Sequence, residues 1–419
     1  MALIVQKFGG TSMGSIDRIK QVAGRVIKEK QNNNDVVVVV SAMSGETNRL
    51  LDLAMKMGGA EGDIETDMII SSGEQVSSGL LSIALRNAGV GSIPLLGHQV
   101  RITTDESHGK ARIASVDVHN IRMGLKSGKV VVIAGFQGVD SKGFITTLGR
   151  GGSDTTAVAV AAALKADRCD IYTDVDGVYT ADPQVVPDAR RLDVVYFDEM
   201  IEMSSLGAKV LQIRSVEFAM KYKVNLFVKS TFVEGPGTQI KFLGDEENME
   251  ELQVSSVACD KDEAKISIRG IPDKPGIAAK IFSKISDANI VVDMIIQNIS
   301  VHGLTDLTFT VSKKDLKNAI DITNGVAKEL NAEEVISDDR IAKISVIGVG
   351  MRNHYGTAST MFSVLSKENI NIMMISTSEI KISCIIDAKY AELATRVLHE
   401  AFNLGKSTDN GKLEKKKNK

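Results

Sequence analysis

The chain has no tryptophan, and aromatic residues fill only 4% of its 419 positions. Proteins that grip single-stranded nucleic acid need rings on which bases can stack, so such a surface is not expected. A formal net charge of −3 also removes the basic footprint of a general nucleic-acid binder. Cysteine is scarce: Cys169, Cys259 and Cys384 stand far apart in apolar segments, with no Cys-x-x-Cys spacing. An odd, scattered set fits reduced, buried thiols and argues against a disulfide framework or a zinc site. The six histidines form no close ligand pair, and no Ser–His–Asp set is apparent. No apolar run approaches the roughly 20 residues that cross a bilayer, and no basic segment leading into a long apolar one opens the chain. A cytoplasmic protein without membrane contact is expected. The basic stretch 404–419 is read as a solvated, flexible tail.

What is present is ordinary for a globular protein: 43% hydrophobic and 25% charged residues. The length implies two or three domains, and the texture changes midway. Over 1–244, strand patterns at 3–8, 36–40, 130–134, 168–173 and 225–230 alternate with helical patterns at 16–30, 64–88, 155–164, 198–206 and 208–221. A break is expected near Gly73 in the long helix. Alternation of this kind predicts an open, mostly parallel sheet covered by helices on both faces, an α/β three-layer sandwich. Ligands of such sheets bind at the carboxyl ends of the strands. A turn-rich and acidic linker follows, at 235–251. Beyond it an α+β pattern occurs twice, over 264–338 and 341–403, at a spacing of about 75 residues. Each unit is small for an independent core, so side-by-side pairing is expected. The spare strand 253–260 is placed to complete the sheet of the second unit.

Two glycine-rich loops carry the chemistry. Lys7-Phe8-Gly9-Gly10-Thr11-Ser12 follows an apolar strand, and Gly149-Arg150-Gly151-Gly152-Ser153-Asp154-Thr155-Thr156 opens an Ala/Val-rich helix. Glycines let backbone N–H groups approach an anion, and a helix start adds favourable dipole charge. Lys7 can neutralise charge on a transferring phosphoryl group. Arg150 can grip a carboxylate bidentately, with Gly151, Gly152 and Ser153 adding donors. Asp154 is either the helix N-cap or the organiser of the lysine and the metal–phosphate cluster. Ser41 and Thr47 lie in the small-residue loop after the strand 36–40. Glu74, beside Gly73, can meet the ammonium of an amino acid. The run Tyr172-Thr173-Asp174-Val175-Asp176-Gly177-Val178-Tyr179-Thr180-Ala181-Asp182-Pro183 has acids at alternate positions. It follows a strand and its glycine comes early, unlike a calcium loop, so a nucleotide-clasping loop fits better. Gly405-Lys406-Ser407 is no P-loop, because position 400 is glutamate and no strand precedes it. Gly348-Val349-Gly350 is no dinucleotide fingerprint, because Asn353 stands where its third glycine belongs.

Taken together and in order, Lys7–Ser12, Ser41–Asn48, Ser71–Glu74, 146–157, Tyr172–Pro183 and 204–215 resemble the aspartate kinases of the amino-acid kinase family, over essentially the whole chain. The repeat resembles a pair of ACT (ferredoxin-like) regulatory domains. The resemblance implies transfer of the ATP γ-phosphoryl group to the side-chain carboxylate of L-aspartate, as the first step toward lysine, threonine and methionine. It makes Lys7 and Asp154 catalytic and gives the substrate to Thr47, Glu74, Arg150, Gly151, Gly152 and Ser153. ATP falls to Lys7, Phe8, Gly9, Gly10, Ser41, Thr173, Asp174, Tyr179, Asp182 and Lys209, with Mg²⁺ arriving on the nucleotide and no metal held by protein residues alone. It also implies feedback by lysine or threonine at Asp273, Gly276, Ile277, Ala278, Val291, Val292, Asp293 and Gln297. The second module's counterparts are Thr357, Ala358, Asn371 and Ile372. Tyr355 stands where relatives often have proline, a departure that bears on this second effector site. A homo-oligomer through the ACT-like domains is implied, and Met249 could start a separate regulatory subunit. The alternatives are a glutamate or N-acetylglutamate kinase of the same family, and a non-catalytic amino-acid sensor.

Overall fold

The computed structural model describes residues 1–206, 210–244, 254–297, 303–353 and 355–405. The chain forms two compact units, Met1–Val178 with Arg191–Glu247, and Tyr179–Arg190 with Asn248–Lys419.

The first unit is built on an eight-stranded sheet. Its order is Val194–Tyr196, Thr238–Lys241, Leu226–Ser230, Arg168–Thr173, Leu3–Phe8, Asp35–Val40, Val130–Ala134 and Ser92–Leu95. All neighbours are parallel except Leu226–Ser230 against Thr238–Lys241. The central strands are buried on both faces, as the unbroken β-branched run Val36–Val40 requires. Helix Ile16–Gln31 covers one face through Ile19, Val22, Ala23 and Val26. Its N-cap is Ser15, whose hydroxyl accepts from the Arg18 N–H. A second, four-stranded sheet of three- and four-residue strands, Ile113–Val116, Ile102–Thr104, Gln137–Val139 and Ile145–Thr147, has no counterpart in the sequence reading.

Two expectations are corrected here. Helix Ile64–Asn87 runs unbroken through Gly73. That glycine serves packing: a Cβ there would lie 2.8 Å from the Cβ of Ala42. The helix expected over 208–221 is observed as Ile213–Lys221, and residues 207–209 lie outside the described set.

The second unit contains two α+β modules. In the first, the sheet order is Val292–Gln297, Leu304–Ser312, Glu263–Pro272, Glu334–Asp338, all antiparallel, with helices Ile277–Asp287 and Leu316–Glu329 over a core of Ile266, Ile281 and Phe309. In the second, Ser256–Asp260 pairs antiparallel with Ile341–Ile347, which is followed across the sheet by Lys381–Asp387 and Met374–Thr377. Helices Thr357–Lys367 and Ala391–Ala401 cover it. Leu404 belongs to that module's core, so the packed chain reaches into the stretch expected as tail. Residues 406–419 lie outside the described set. Among the described residues, no helix is long and apolar enough to cross a membrane.

Candidate active site

Parallel pairing brings Phe8 level with Val40 on one side and Tyr172 on the other, and Val40 level with Ala134. The loops leaving these strands are laced together where the pairing ends. The Ser41 N–H donates to the Phe8 carbonyl at 3.0 Å, Gly135 to Val40 at 3.0 Å and Gly9 to Tyr172 at 3.4 Å. The expected gathering of glycine-rich loops at one end of the sheet is therefore observed. The Phe8 ring stacks on Tyr172 with centroids 4.7 Å apart. Ser12 and Thr231, both buried, share a hydroxyl hydrogen bond of 2.6 Å that ties the first loop to the turn directly after the strand Leu226–Ser230.

Lys7 and Asp154 meet at this edge. The Lys7 ammonium lies 2.5 Å from Asp154 Oδ1, and both residues are buried. The contact is a close ion pair, and the carboxylate oxygen keeps a further lone pair for another donor. Asp154 is not the N-cap. Gly151, at φ 73°, holds that position, and Asp154 is the third residue of helix Gly152–Leu164. Its carboxylate therefore sits in the first turn, where the helix dipole favours negative charge. Gly9 lies close to the lysine: a Cβ there would stand 3.3 Å from the Lys7 ammonium nitrogen, which would have to give way slightly.

Glu74 enters from the unbroken helix. One carboxylate oxygen accepts the Ala42 N–H at 2.9 Å, and the other is buried with no partner among the described residues. Burial pushes its pKa up to about 7, against the pull of that N–H. A buried oxygen left without a donor is costly, and an incoming ammonium would satisfy it. Ser153 is buried against Gly135, where a Cβ would come within 2.9 Å of the serine hydroxyl. Arg150 is exposed and forms no ion pair with another described residue, so its guanidinium is open to a carboxylate. Thr47 is half-buried, second in helix Glu46–Lys56. Thr173 is half-buried at its strand's end and donates its hydroxyl to the exposed Asp174.

Three groups that hold this edge escaped sequence reasoning. Buried Asp67 accepts from His108 Nδ1 (2.9 Å), the Gly109 N–H (3.0 Å), the Thr147 N–H (3.0 Å) and the Thr147 hydroxyl (2.5 Å). Arg214 donates to the carbonyls of Leu148 (2.6 Å) and Ala111 (3.0 Å). Gln137 donates to the Ser71 carbonyl at 2.9 Å. Together they fix the strand and turn that lead into Gly149 and Arg150. A hint of Asp67 lay in its buried helix face, but its partners are 41 to 80 residues away.

The remaining expected residues fall in the second unit or outside the described set. Tyr179 and Asp182 belong to the segment that packs with the second unit. Lys209 lies outside the described residues. The effector residues divide as well. Gly276 and Gly356, at φ 93° and 104°, cap equivalent helices of the two modules, with Ile277, Ala278, Thr357 and Ala358 just inside. Asp273 is exposed beside them, bonded through its N–H to Gly303. Val291 is exposed, Val292 half-buried, and Gln297 ends that edge strand. Asn371 is exposed and Ile372 half-buried before strand Met374–Thr377. Asp293, however, lies at the other end of the first module's sheet. Pro272 is level with Leu304 but Val292 with Val311, roughly 20 Å away at strand spacing. It already holds an ammonium: buried Lys343 of the second module sits 2.6 Å from Asp293 and 2.7 Å from Glu263.

The family model for the amino acid kinase family matches residues 2–230, and that for the ACT domain matches 266–324 and 344–402. The aspartate kinase of Stutzerimonas stutzeri is 59% identical over 404 residues, covering 96% of this chain and 98% of the relative. The chain belongs to the aspartokinase family, as an amino acid kinase domain with ACT domains. The Helicobacter pylori aspartokinase is 50% identical over 408 residues, covering 96% and 99%. Among solved aspartokinase structures, that of Escherichia coli aspartokinase III in complex with aspartate and ADP superposes with a TM-score of 0.79 at 26% identity, over 95% of this chain and 99% of that one. The lysine and aspartate complex of the same enzyme gives 0.73 at 25% identity, over 96% and 99%.

Proposed function

We propose that this aspartokinase transfers the γ-phosphoryl group of ATP to the side-chain carboxylate of L-aspartate, giving 4-phospho-L-aspartate and ADP, and that end-product amino acids regulate it through its ACT domains. The observation that carries the proposal is the buried Lys7–Asp154 pair at the laced strand ends, with an oxygen of Glu74 on the same edge that has no partner among the described residues.

A carboxylate is already ionised at neutral pH, so the nucleophile needs no general base. Lys7 neutralises charge on the phosphoryl oxygens as the bond to the β-phosphate oxygen breaks and the bond to the aspartate oxygen forms. Asp154 holds the ammonium in place. Glu74 takes the substrate's ammonium, and Arg150 the carboxylate that does not react, with Thr47 and Ser153 at the same subsite. Alignment of the two reactants supplies the remaining acceleration. Phe8, Gly9, Gly10, Ser41, Thr173, Asp174, Tyr179, Asp182 and Lys209 are assigned to ATP.

Mg²⁺ fits as the nucleotide's companion. It keeps mostly water and phosphate ligands, and the Asp154 carboxylate, paired with Lys7, would accept a hydrogen bond from one of those waters. When bound, the ion draws charge from the phosphate oxygens.

Lysine, threonine or both are the expected effectors. Edge strands Val292–Gln297 and Met374–Thr377 expose Ile295 and Ile375, which supports assembly of a homo-oligomer through the ACT domains. A shorter regulatory subunit starting at Met249, which lies outside the described residues, and a cytoplasmic location belong to the same proposal. Acyl-phosphate formation trapped with hydroxylamine, using aspartate, glutamate and N-acetylglutamate in turn, tests the substrate. Turnover with aspartate alone is expected.

A further inference from the structure

Asp67 and Glu74 stand on the same face of helix Ile64–Asn87, two turns or about 10 Å apart along its axis. Asp67 is fully buried. Four donors from two distant segments converge on its carboxylate. His108 Nδ1 (2.9 Å) and the Gly109 N–H (3.0 Å) come from one turn, and the Thr147 N–H (3.0 Å) and hydroxyl (2.5 Å) come from the strand Ile145–Thr147. They match the roughly four lone-pair sites of a carboxylate, so Asp67 has no capacity left for a ligand. Its bonds are spent on the protein's own backbone.

Both segments lead to Arg150. Thr147 ends the strand that runs into Leu148 and Gly149. The Ala111 N–H donates to the Thr147 carbonyl at 2.9 Å, which joins turn and strand directly. Gly149, at φ 76°, packs on the turn: a Cβ there would stand 3.1 Å from the Gly109 carbonyl oxygen. The turn is also closed from within, because Asp105 accepts the N–H groups of Ser107 (3.3 Å) and Arg112 (3.0 Å). On its far side His108 Nε2 lies 3.7 Å from buried Asp140. Arg150 is exposed, so the place from which its guanidinium reaches out is set by this backbone, and Asp67 anchors the backbone to the helix of Glu74.

We propose that Asp67 is a positioning residue for the amino-acid substrate: by clamping the His108–Gly109 turn and Thr147 to the helix that carries Glu74, it fixes the spacing at which Arg150 and Glu74 receive the substrate's unreacting carboxylate and its ammonium. Asp67 itself touches neither the substrate nor the reacting atoms. The inference deepens the proposed function and rests on its assignment of Arg150 to that carboxylate.

The test uses the full chain with Asp67→Asn, Thr147→Val, Thr147→Ser, Arg150→Ala and the double variant Asp67→Asn/Arg150→Ala. Steady-state kinetics would give KM for aspartate, KM for ATP and kcat, with thermal unfolding followed in parallel. Loss of hydrogen bonds to a buried carboxylate should raise KM for aspartate about ten- to a hundred-fold in Asp67→Asn and about ten-fold in Thr147→Val. KM for ATP should stay within about two-fold of wild type, a split that a general loosening of the fold would not produce. Thr147→Ser, which keeps the hydroxyl, should restore most of the affinity for aspartate. Arg150→Ala should raise KM for aspartate on its own account, and Asp67→Asn should add less than about two-fold in that background, because the two changes remove one interaction. If Arg150→Ala raises KM for aspartate while Asp67→Asn and Thr147→Val leave it unchanged, raise both KM values equally, or multiply fully with Arg150→Ala, the positioning role is refuted and the assignment of Arg150 survives. If Arg150→Ala leaves KM for aspartate unchanged, the assignment falls and the inference with it. Where Asp67→Asn does not fold, Thr147→Val against Thr147→Ser, in the same cycle with Arg150→Ala, decides alone.

Discussion

Asp154 lies 2.5 Å from the ammonium of Lys7, so the pair joins the strand Leu3–Phe8 to the helix Gly152–Leu164. Lys7 comes from the last turn of pleat before Gly9, and Asp154 from the first turn of the helix that Gly151 starts. Burial of both makes each depend on the other, because an unpaired charge there would lose its solvation. Lys7→Met should therefore lower kcat by about a hundred- to a thousand-fold, as loss of one preorganised charge at a transition state does. KM for aspartate should move by less than about three-fold. Asp154→Asn keeps the shape and loses the charge, so its kcat should fall similarly. Single-turnover phosphoryl transfer, measured apart from binding, checks both.

Glu74 gives a pH dependence with a definite sign. Its folded pKa, raised by burial to about 7, means that the ionised form needed for the substrate's ammonium is lost below neutrality. The value of kcat/KM for aspartate should fall about tenfold per pH unit below pH 7 and level off above it. Stability runs the other way. A carboxyl whose pKa is raised on folding stabilises fully below its unfolded value near 4.5, and that contribution disappears as pH climbs through about 7. Glu74→Gln should therefore bind aspartate poorly yet unfold later than wild type at pH 8, by about 1–3 kcal/mol. At pH 4.5 the two should be equal. Calorimetry of the unliganded proteins at both pH values distinguishes the outcomes.

Gly73 and Gly79 lie on one helix and offer a controlled pair. A Cβ at Gly73 would meet the Ala42 Cβ at 2.8 Å, whereas nothing lies within 4 Å of one at Gly79. Gly79→Ala should stabilise by about 0.5–1 kcal/mol through helix propensity alone. Gly73→Ala should destabilise by about 1–3 kcal/mol and raise KM for aspartate, since Ala42 must shift the N–H that orients Glu74. Urea unfolding with kinetics on both variants is sufficient.

Lys343 joins the two ACT modules. Burial alone would discharge its ammonium, but Glu263 and Asp293 outweigh it and push its pKa up. Removing one partner of a buried ion cluster strands the others. Lys343→Ala should cost about 3–5 kcal/mol and Lys343→Met nearly as much, whereas the triple change with Glu263→Met and Asp293→Leu should recover most of it. Because Asp293 is held by Lys343 at the far end of the sheet from Gly276, Asp293→Asn should leave the half-inhibitory concentration of lysine or threonine unchanged. Unfolding and inhibition curves read these effects separately.

The parallel core and the paired modules were legible because their signals are local. Val36–Val40 is a continuous β-branched run, and the strand and helix patterns of the two modules recur in the same order. The loops that meet at the site were legible for the same reason, since each is a glycine cluster directly after a strand. Long-range packing was not. Gly73 looks like a helix breaker in sequence, but Ala42 approaches it from 31 positions earlier, so the helix continues. Gly151 displaced Asp154 from the cap because only a residue tolerant of φ 73° fits that turn. The small sheet around Gln137–Val139 has strands of three and four residues, too short for any period to register. Lys343, inside a strand buried along its whole length, reads as a solvent-facing polar position until the carboxylates of the other module are placed beside it.

The most direct test of the central claim is trapping of the phosphorylated product with hydroxylamine from wild type and Lys7→Met under saturating Mg–ATP, with aspartate, glutamate and N-acetylglutamate as acceptors. Aspartyl hydroxamate from wild type alone, with Lys7→Met reduced about a hundred-fold or more and the other acceptors silent, is the predicted result. Undiminished aspartyl hydroxamate from Lys7→Met, or turnover of another acceptor in its place, would contradict the account.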